Sequence, residues 1–283
     1  VTVSDYFQPT SLDEALAMLA AHGPELLVIA GGTVAMPLIN DGISLPRQVM
    51  GLRRAGLERI ERVGDELHIG ATATLTALLE QRDMPMLSTA AGRTGSWAIR
   101  NMGTVGGNLF TPPPGGDVAT ALLALDARLV IDTARGSRGT PLSAFYTGFM
   151  TTDLAPAELV SSIVVPMPTG RTAFVKFGRR QANTPAVVTV AVHASFDGGA
   201  VSACRIALGS AGPHPLRAIG AEAALTGRVL DEPAIDAAAV AAAAECEPDS
   251  DAVASDWYRR RMVALFVKRA LAELTRSAPG GEA

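Results

Sequence analysis

Residues 99–108 read IRNMGTVGGN and bring Gly103, Gly106 and Gly107 within five residues of one another, beside Thr104 and Asn108. Glycine lets backbone N–H groups approach a ligand closely and adopts positive φ without steric cost. A run of such N–H groups forms a concavity suited to phosphate oxygens. An earlier stretch has the same character. The apolar run 26–30 (LLVIA) leads directly into Gly31-Gly32-Thr33, a strand ending in paired glycines and a hydroxyl. Two such loops, roughly 70 residues apart, predict one ligand with more than one phosphate, held from two sides. Either loop alone also fits an ordinary tight turn. Neither matches G-x-G-x-x-G or G-x-x-x-x-G-K-[ST], so those two ways of holding a nucleotide are not supported.

The rest of the chain alternates short apolar strands with helices, which argues a mixed α/β or α+β layer. Residues 10–21 predict a helix opened by a Ser11/Glu14 capping box, with Leu12, Ala15, Leu16 and Leu19 on one face. Residues 33–39 predict a short helix limited by Pro37. Strands are expected at 48–52, 66–69, 128–131 and 158–165, and helices at 74–79, 85–99 and 118–125. Residues 111–117 (TPPPGGD) read as an ordered turn, with Asp117 placed to cap the helix that follows. Pro166 and Pro168 mark a domain boundary. Beyond it, 174–177, 186–196 and 201–208 predict strands, the last two joined by the hairpin signal Asp197-Gly198-Gly199. Three helices follow at 216–225, 234–244 and 256–274, so the second domain reads as a sheet with helices on one face. A frayed tail is expected from Ser277.

Composition removes several classes of function. At 283 residues and 48% hydrophobic, the chain can bury one large core or two ordinary ones. No apolar run reaches the ~18 residues of a membrane span. Residues 1–9 lack a basic start and an apolar core, so a cytoplasmic protein is expected. The net charge of −4, without a basic stripe, argues against nucleic acid as a partner. Cys204 and Cys246 cannot build an iron–sulfur cluster or a zinc knuckle. His22, His68, His193 and His214 show no metal spacing, and no G-x-S-x-G nucleophile is present. Arg179-Arg180 follows a strand end, where a solvated pair is the ordinary reading.

The two glycine motifs together, AGGT at 30–33 and IRNMGTVGGN at 99–108, resemble the FAD-binding medium subunit of the molybdenum hydroxylases. That family includes the flavin subunits of xanthine-, carbon monoxide- and nicotine-dehydrogenase-like enzymes. Its two flavin loops read approximately AGG[TH] and [TS][IV]GGN, and both occur here in the same order. The resemblance implies an α+β fold: a two-part FAD-binding domain of the PCMH/vanillyl-alcohol-oxidase-like type over 1–168, with parts of about 1–57 and 58–168. A smaller α+β C-terminal domain would follow over 169–283. It implies FAD held by Val28, Ile29, Ala30, Gly31, Gly32, Thr33, Val34 and Ala35 of the first loop. Thr104, Val105, Gly106, Gly107 and Asn108 of the second, with Asp117, Val160 and Lys176, would complete the site. Where relatives carry A-D-P-A-A-D, this chain has T-P-P-P-G-G-D and keeps the Asp; near Asn183, where relatives often carry an acid, it does not.

The same resemblance implies an electron-transfer subunit with no catalytic side chain of its own, because FAD carries the redox chemistry. Its partners would be a small subunit with two [2Fe–2S] clusters and a large molybdopterin subunit, arranged as a dimer of heterotrimers, with an external electron acceptor. The two cysteines agree, since the clusters must come from another chain. A self-contained FAD oxidase and a non-redox flavin-binding module are the competing readings.

Overall fold

The computed structural model of the chain describes residues 3–113 and 115–276. The expected tail from Ser277 and Pro114 of the predicted turn lie outside the described residues. Among the described residues the chain builds three main sheets in succession, and a two-stranded antiparallel ribbon lies within the second lobe.

The first lobe runs β1 (Asp5–Phe7), α1 (Leu12–His22), β2 (Leu26–Ile29), α2 (Ala35–Asn40) and β3 (Gln48–Gly51). Its sheet is parallel in the order β1-β3-β2. Ser11 caps α1 by accepting the Glu14 N–H. The Glu14 carboxylate accepts the Thr10 N–H at 2.6 Å, one residue before the partner of a standard capping box. Ala15, Leu16 and Leu19 of α1 bury against Leu26 and Met50. Pro37 sits in the first turn of α2, where its missing N–H breaks no helical bond.

The second lobe contains β4 (Ile60–Val63), β5 (Glu66–Gly70), α3 (Leu75–Leu79), α4 (Pro85–Arg93), α5 (Trp97–Met102), α6 (Val105–Leu109) and α7 (Asp117–Ala124). It continues with β6 (Arg128–Thr133), β7 (Gly136–Pro141), α8 (Leu142–Phe145), β8 (Tyr146–Gly148), β9 (Thr151–Thr152) and β10 (Leu159–Pro166). Five strands pair antiparallel in the order β4-β5-β10-β6-β7. The helix expected over 85–99 is two helices. Thr94 ends the first, Gly95 takes φ 59°, and Ser96 caps the second by accepting the Ile99 N–H. The second glycine stretch is likewise helical on both sides of a tight corner at Gly103-Thr104.

The third lobe holds β11 (Arg171–Gly178), β12 (Ala186–Asp197), β13 (Ala200–Gly209) and β14 (Leu216–Arg217), antiparallel in that order. Helices α9 (Ile219–Leu225), α10 (Glu232–Glu245) and α11 (Asp256–Arg276) follow. The expected start of the first helix at Leu216 is instead the short edge strand β14. The lobe's own helices cover one face of the sheet, as the sequence predicts. Its other face is covered too, by α4 and α7 of the second lobe. Phe174, Ala191 and Ala207 therefore belong to the core of the second lobe, while Val190, Val192 and Ile206 belong to that of the third. Burial on both faces explains why β12 is apolar almost without interruption.

Candidate functional site

All three lobes meet at a cavity of about 820 Å³, in the upper part of the ~300–1,000 Å³ range of small-molecule and cofactor sites. One wall is the corner between β2 and α2. Val28, Ile29, Ala30, Gly31, Gly32, Thr33, Val34 and Ala35 all line it. Among the described residues, no protein acceptor takes the N–H groups of Gly31, Gly32, Thr33, Val34 or Ala35. Five consecutive residues with unclaimed N–H groups thus line one concavity, a composition that suits phosphate oxygens.

The facing wall comes from the Gly103–Asn108 corner, and its glycines serve a different purpose. The Val105 N–H donates to the Ala73 carbonyl and the Gly106 N–H to the Ala71 carbonyl, both at 2.9 Å. The Gly107 N–H donates to Thr104 Oγ1 at 3.0 Å. The first two donors hold the corner to the β5–α3 connection and the third caps α6 within the corner, so all three are taken by protein acceptors. A Cβ on Gly106 would lie 2.6 Å from the Ala71 carbonyl oxygen. A Cβ on Gly31 would collide with the backbone of Met102 and Gly103. Each glycine lets two backbones pack in direct contact, so the two loops of the sequence form one continuous rim. The run of consecutive unclaimed donors on that rim belongs to the first loop.

Thr104, Gly106, Gly107, Asn108, Asp117, Val160 and Lys176 also line the cavity. Val105 does not: its side chain is wholly buried in the core of the second lobe. Asn108 turns its Oδ1 away from the rim to accept the Ala119 N–H at 3.0 Å, so Asn108 satisfies a donor in the first turn of α7. Asp117 is thereby released from the capping role expected of it and is the first residue of the helix. Its carboxylate accepts the Lys176 ammonium at 2.6 Å and the Thr189 hydroxyl at 2.9 Å. Lys176 also donates to the Arg93 carbonyl at 3.1 Å. Both side chains of this ion pair are 6% exposed. Lys176 is thus not a free cation. It is half of a buried, hydrogen-bonded pair that joins the second lobe to the third.

Several lining residues were not anticipated from sequence. Thr94 and Gly95 reach the cavity because the helix breaks there, and the Thr-Gly-Ser run at 94–96 was the available signal. Phe110, Met150, Leu154 and Glu158 also line it. Glu158 accepts two hydrogen bonds from Arg138, each 2.7 Å, and Arg138 also reaches Asp153 at 2.8 Å. The hydrogen bond from Arg138 outweighs burial and holds the Glu158 carboxyl below its ordinary value. The network ties β7 to the 153–158 segment that borders the cavity. Among the described residues, no group of His, Cys, Asp and Glu could hold a metal ion. No described helix is long and apolar enough to cross a membrane.

Comparison with known proteins covers nearly the whole chain. Residues 2–168 match the family described as the FAD binding domain in molybdopterin dehydrogenase. Residues 173–274 match the CO dehydrogenase flavoprotein C-terminal domain. The carbon monoxide dehydrogenase medium chain of Hydrogenophaga pseudoflava is 32% identical over 94% of this chain and 95% of its own. The glyceraldehyde dehydrogenase medium chain of Sulfolobus acidocaldarius is 28% identical over 95% of this chain and 97% of its own. Among solved structures, carbon monoxide dehydrogenase from Hydrogenophaga pseudoflava superposes with a TM-score of 0.94 at 32% identity. That match covers 98% of this chain and 99% of the other. Quinoline 2-oxidoreductase from Pseudomonas putida 86 gives a TM-score of 0.91 at 29% identity, with 98% of both chains covered.

Proposed function

The chain belongs to the family of FAD-binding medium subunits of the molybdenum hydroxylases, and from that premise we propose how its site works and what it joins. It is an oxidoreductase subunit whose cofactor is FAD. The open N–H groups of Gly31 to Ala35 would take the FAD diphosphate, the largest concentration of negative charge in the cofactor. Ile29, Val34, Val160 and the 183–185 segment supply apolar and backbone surface for the rest of it. The Asp117–Lys176 pair holds the second and third lobes in register around the cavity. When bound, FAD supplies the redox chemistry, while the protein supplies orientation and electrostatics.

The subunit would carry electrons from two [2Fe–2S] clusters of a small partner subunit to an external acceptor. The electrons would originate at a molybdopterin-bearing large subunit, in a dimer of heterotrimers. The observation that carries the reading is the cluster of five unclaimed backbone donors at the edge of a cofactor-sized cavity. The chain's two buried cysteines support a separate iron–sulfur partner, because they cannot ligate clusters.

The purified chain is expected to be yellow, with all flavin released to the supernatant on acid precipitation. Co-purification with its partners should yield a complex containing iron and molybdenum, and the isolated chain should not oxidise a small heterocycle. Flavin retained in the acid pellet would refute non-covalent binding. Substrate turnover by the isolated chain would refute the electron-transfer role.

A further inference from the structure

Beside the cofactor cavity lies a second, smaller recess of about 260 Å³. Arg93, Arg179, Arg180, Gln181 and Thr184 line it, together with Lys176. Lys176 and Thr184 border both spaces, so the recess adjoins the cavity. Its charge is one-sided: four cationic side chains and no carboxylate line it. Lys176 is neutralised from behind by Asp117. Among the described residues, Arg93, Arg179 and Arg180 have no carboxylate within ion-pairing distance. All three are exposed, and Arg93 stands on α4, across from the β11–β12 connection that carries the other two. Two separate elements thus bring guanidinium groups to the rim of one concavity, in a chain whose net charge is −4.

The Arg180 guanidinium is held in place. It donates to the Asn183 carbonyl at 2.9 Å, closing a turn in which Asn183 takes φ 46°. That bond uses one edge of the guanidinium and leaves its remaining donors free. Guanidinium groups recognise phosphate through paired, charge-assisted hydrogen bonds. A local cationic recess also concentrates anions from solution.

Resting on the electron-transfer reading above, we propose that this recess binds the phosphate-class anionic group of a soluble external electron acceptor. Oxidation of the fully reduced flavin would release two electrons and two protons, the electrons passing to that acceptor and the protons to the acceptor or to water. The recess takes no part in the transfer itself. It holds the acceptor's anionic group against the wall formed by Lys176 and Thr184.

The test uses the FAD-loaded chain, so that the cofactor's own diphosphate site is filled, and inorganic pyrophosphate as the probe. Calorimetry at low ionic strength should show saturable one-to-one binding that weakens with added salt. Arg179→Gln/Arg180→Gln should lower the affinity at least about tenfold, the worth of one charge-assisted hydrogen bond. Arg93→Gln should act in the same direction, and flavin content should stay unchanged in both. After reduction by dithionite, reoxidation by ferricyanide should be slowed by pyrophosphate and by the double variant, while reoxidation by a neutral benzoquinone should not. Absence of saturable binding, or equal binding by wild type and both variants, would overturn the proposal. So would loss of binding in the assembled complex, which would mean that a partner subunit's surface occupies the recess. A chain that never retains FAD would instead defeat the cofactor reading, before pyrophosphate is added.

Discussion

Replacing Gly31 with alanine should separate the two halves of the cofactor rim. Gly31 does not adopt positive φ, so alanine carries no backbone penalty there and the effect is purely steric. The new Cβ would meet the Met102 carbonyl oxygen, lying also 2.8 Å from the Met102 carbonyl carbon and 2.9 Å from Gly103 Cα. All three are backbone atoms and cannot rotate aside. Reaching ordinary contact at 3.4–4 Å requires the β2–α2 corner and the Gly103 corner to part by well over an ångström in a close-packed interior. Overpacking of this kind costs about 1–3 kcal/mol. If the loops part to relieve it, that strain appears as lost preorganisation of the five donors. FAD affinity should then fall about 5- to 150-fold, at tenfold per 1.4 kcal/mol, while the secondary structure persists. Titration of the cofactor-free variant with FAD, followed by flavin fluorescence, reads the affinity. Thermal unfolding of the same sample reads any strain left in the fold. Gly139→Ala is the control, because its Cβ meets nothing within 4 Å and its φ is not positive. A Gly31→Ala chain with wild-type FAD affinity and wild-type melting temperature would refute the claim that direct loop-to-loop contact shapes the site.

Three further outcomes are expected. In the cofactor-free chain, Lys176→Met should destabilise by about 3–5 kcal/mol, because it strands a buried carboxylate. Adding Asp117→Leu should recover much of that loss, and a urea double-mutant cycle showing additive effects would contradict a coupled pair. Asn108→Ala should lower stability by about 1 kcal/mol through loss of the Ala119 N–H bond; an unchanged urea midpoint would show that the bond is not needed. Stability should be level near neutrality and fall with acid. Burial, with Arg205 adding to it, lowers the His193 pKa below its ordinary 6.5. The unfolded chain therefore takes up a proton first, and stability falls as pH drops below 6.5. Glu158 is held below 4.5 by Arg138, so its contribution is present above 4.5 and lost as pH falls through the lowered value. Urea melts over descending pH should show a shallower acid slope for His193→Gln just below 6.5 and for Glu158→Gln below 4.5. Parallel curves would rule both groups out.

Local patterns carried much of this architecture. Ser11 and Glu14 mark the start of α1, Thr74 caps α3, and Asp197-Gly198-Gly199 turns between β12 and β13. The cavity residues were legible because two glycine loops, each compatible with an ordinary turn when taken alone, occur together and in the order of the family's flavin loops. What sequence could not supply were relations between distant segments. The Gly106 motif reads as a ligand loop, yet its N–H groups serve Ala71 and Ala73, a pairing that depends on where β5 ends. Asp117 reads as a helix cap because the competing cap, Asn108, lies nine residues earlier across a proline-rich turn. Lys176 is named in the sequence only as a residue of the cofactor site, because its ion-pair partner is 59 positions away. The break at Gly95 was visible in principle, but Gly92 of the same run stays helical, so a glycine there does not by itself decide between a tolerated residue and a stop.

The two-sided burial of the β11–β14 sheet bears on how such chains can be recombined. The matched segments meet between residues 168 and 173, so a crossover there looks like a clean joint between heritable modules. Physically the joint lies elsewhere. Phe174, Ala191 and Ala207 are packed among the residues of the preceding lobe, and Thr189 and Lys176 complete the environment of Asp117. A chimera that keeps residues 1–168 and takes its C-terminal part from a relative inherits a mismatched surface under α4 and α7, together with a foreign partner for a buried carboxylate. Functional crossovers should therefore require the donor's α4 and α7 faces to travel with its C-terminal sheet, making the exchangeable unit discontinuous in sequence.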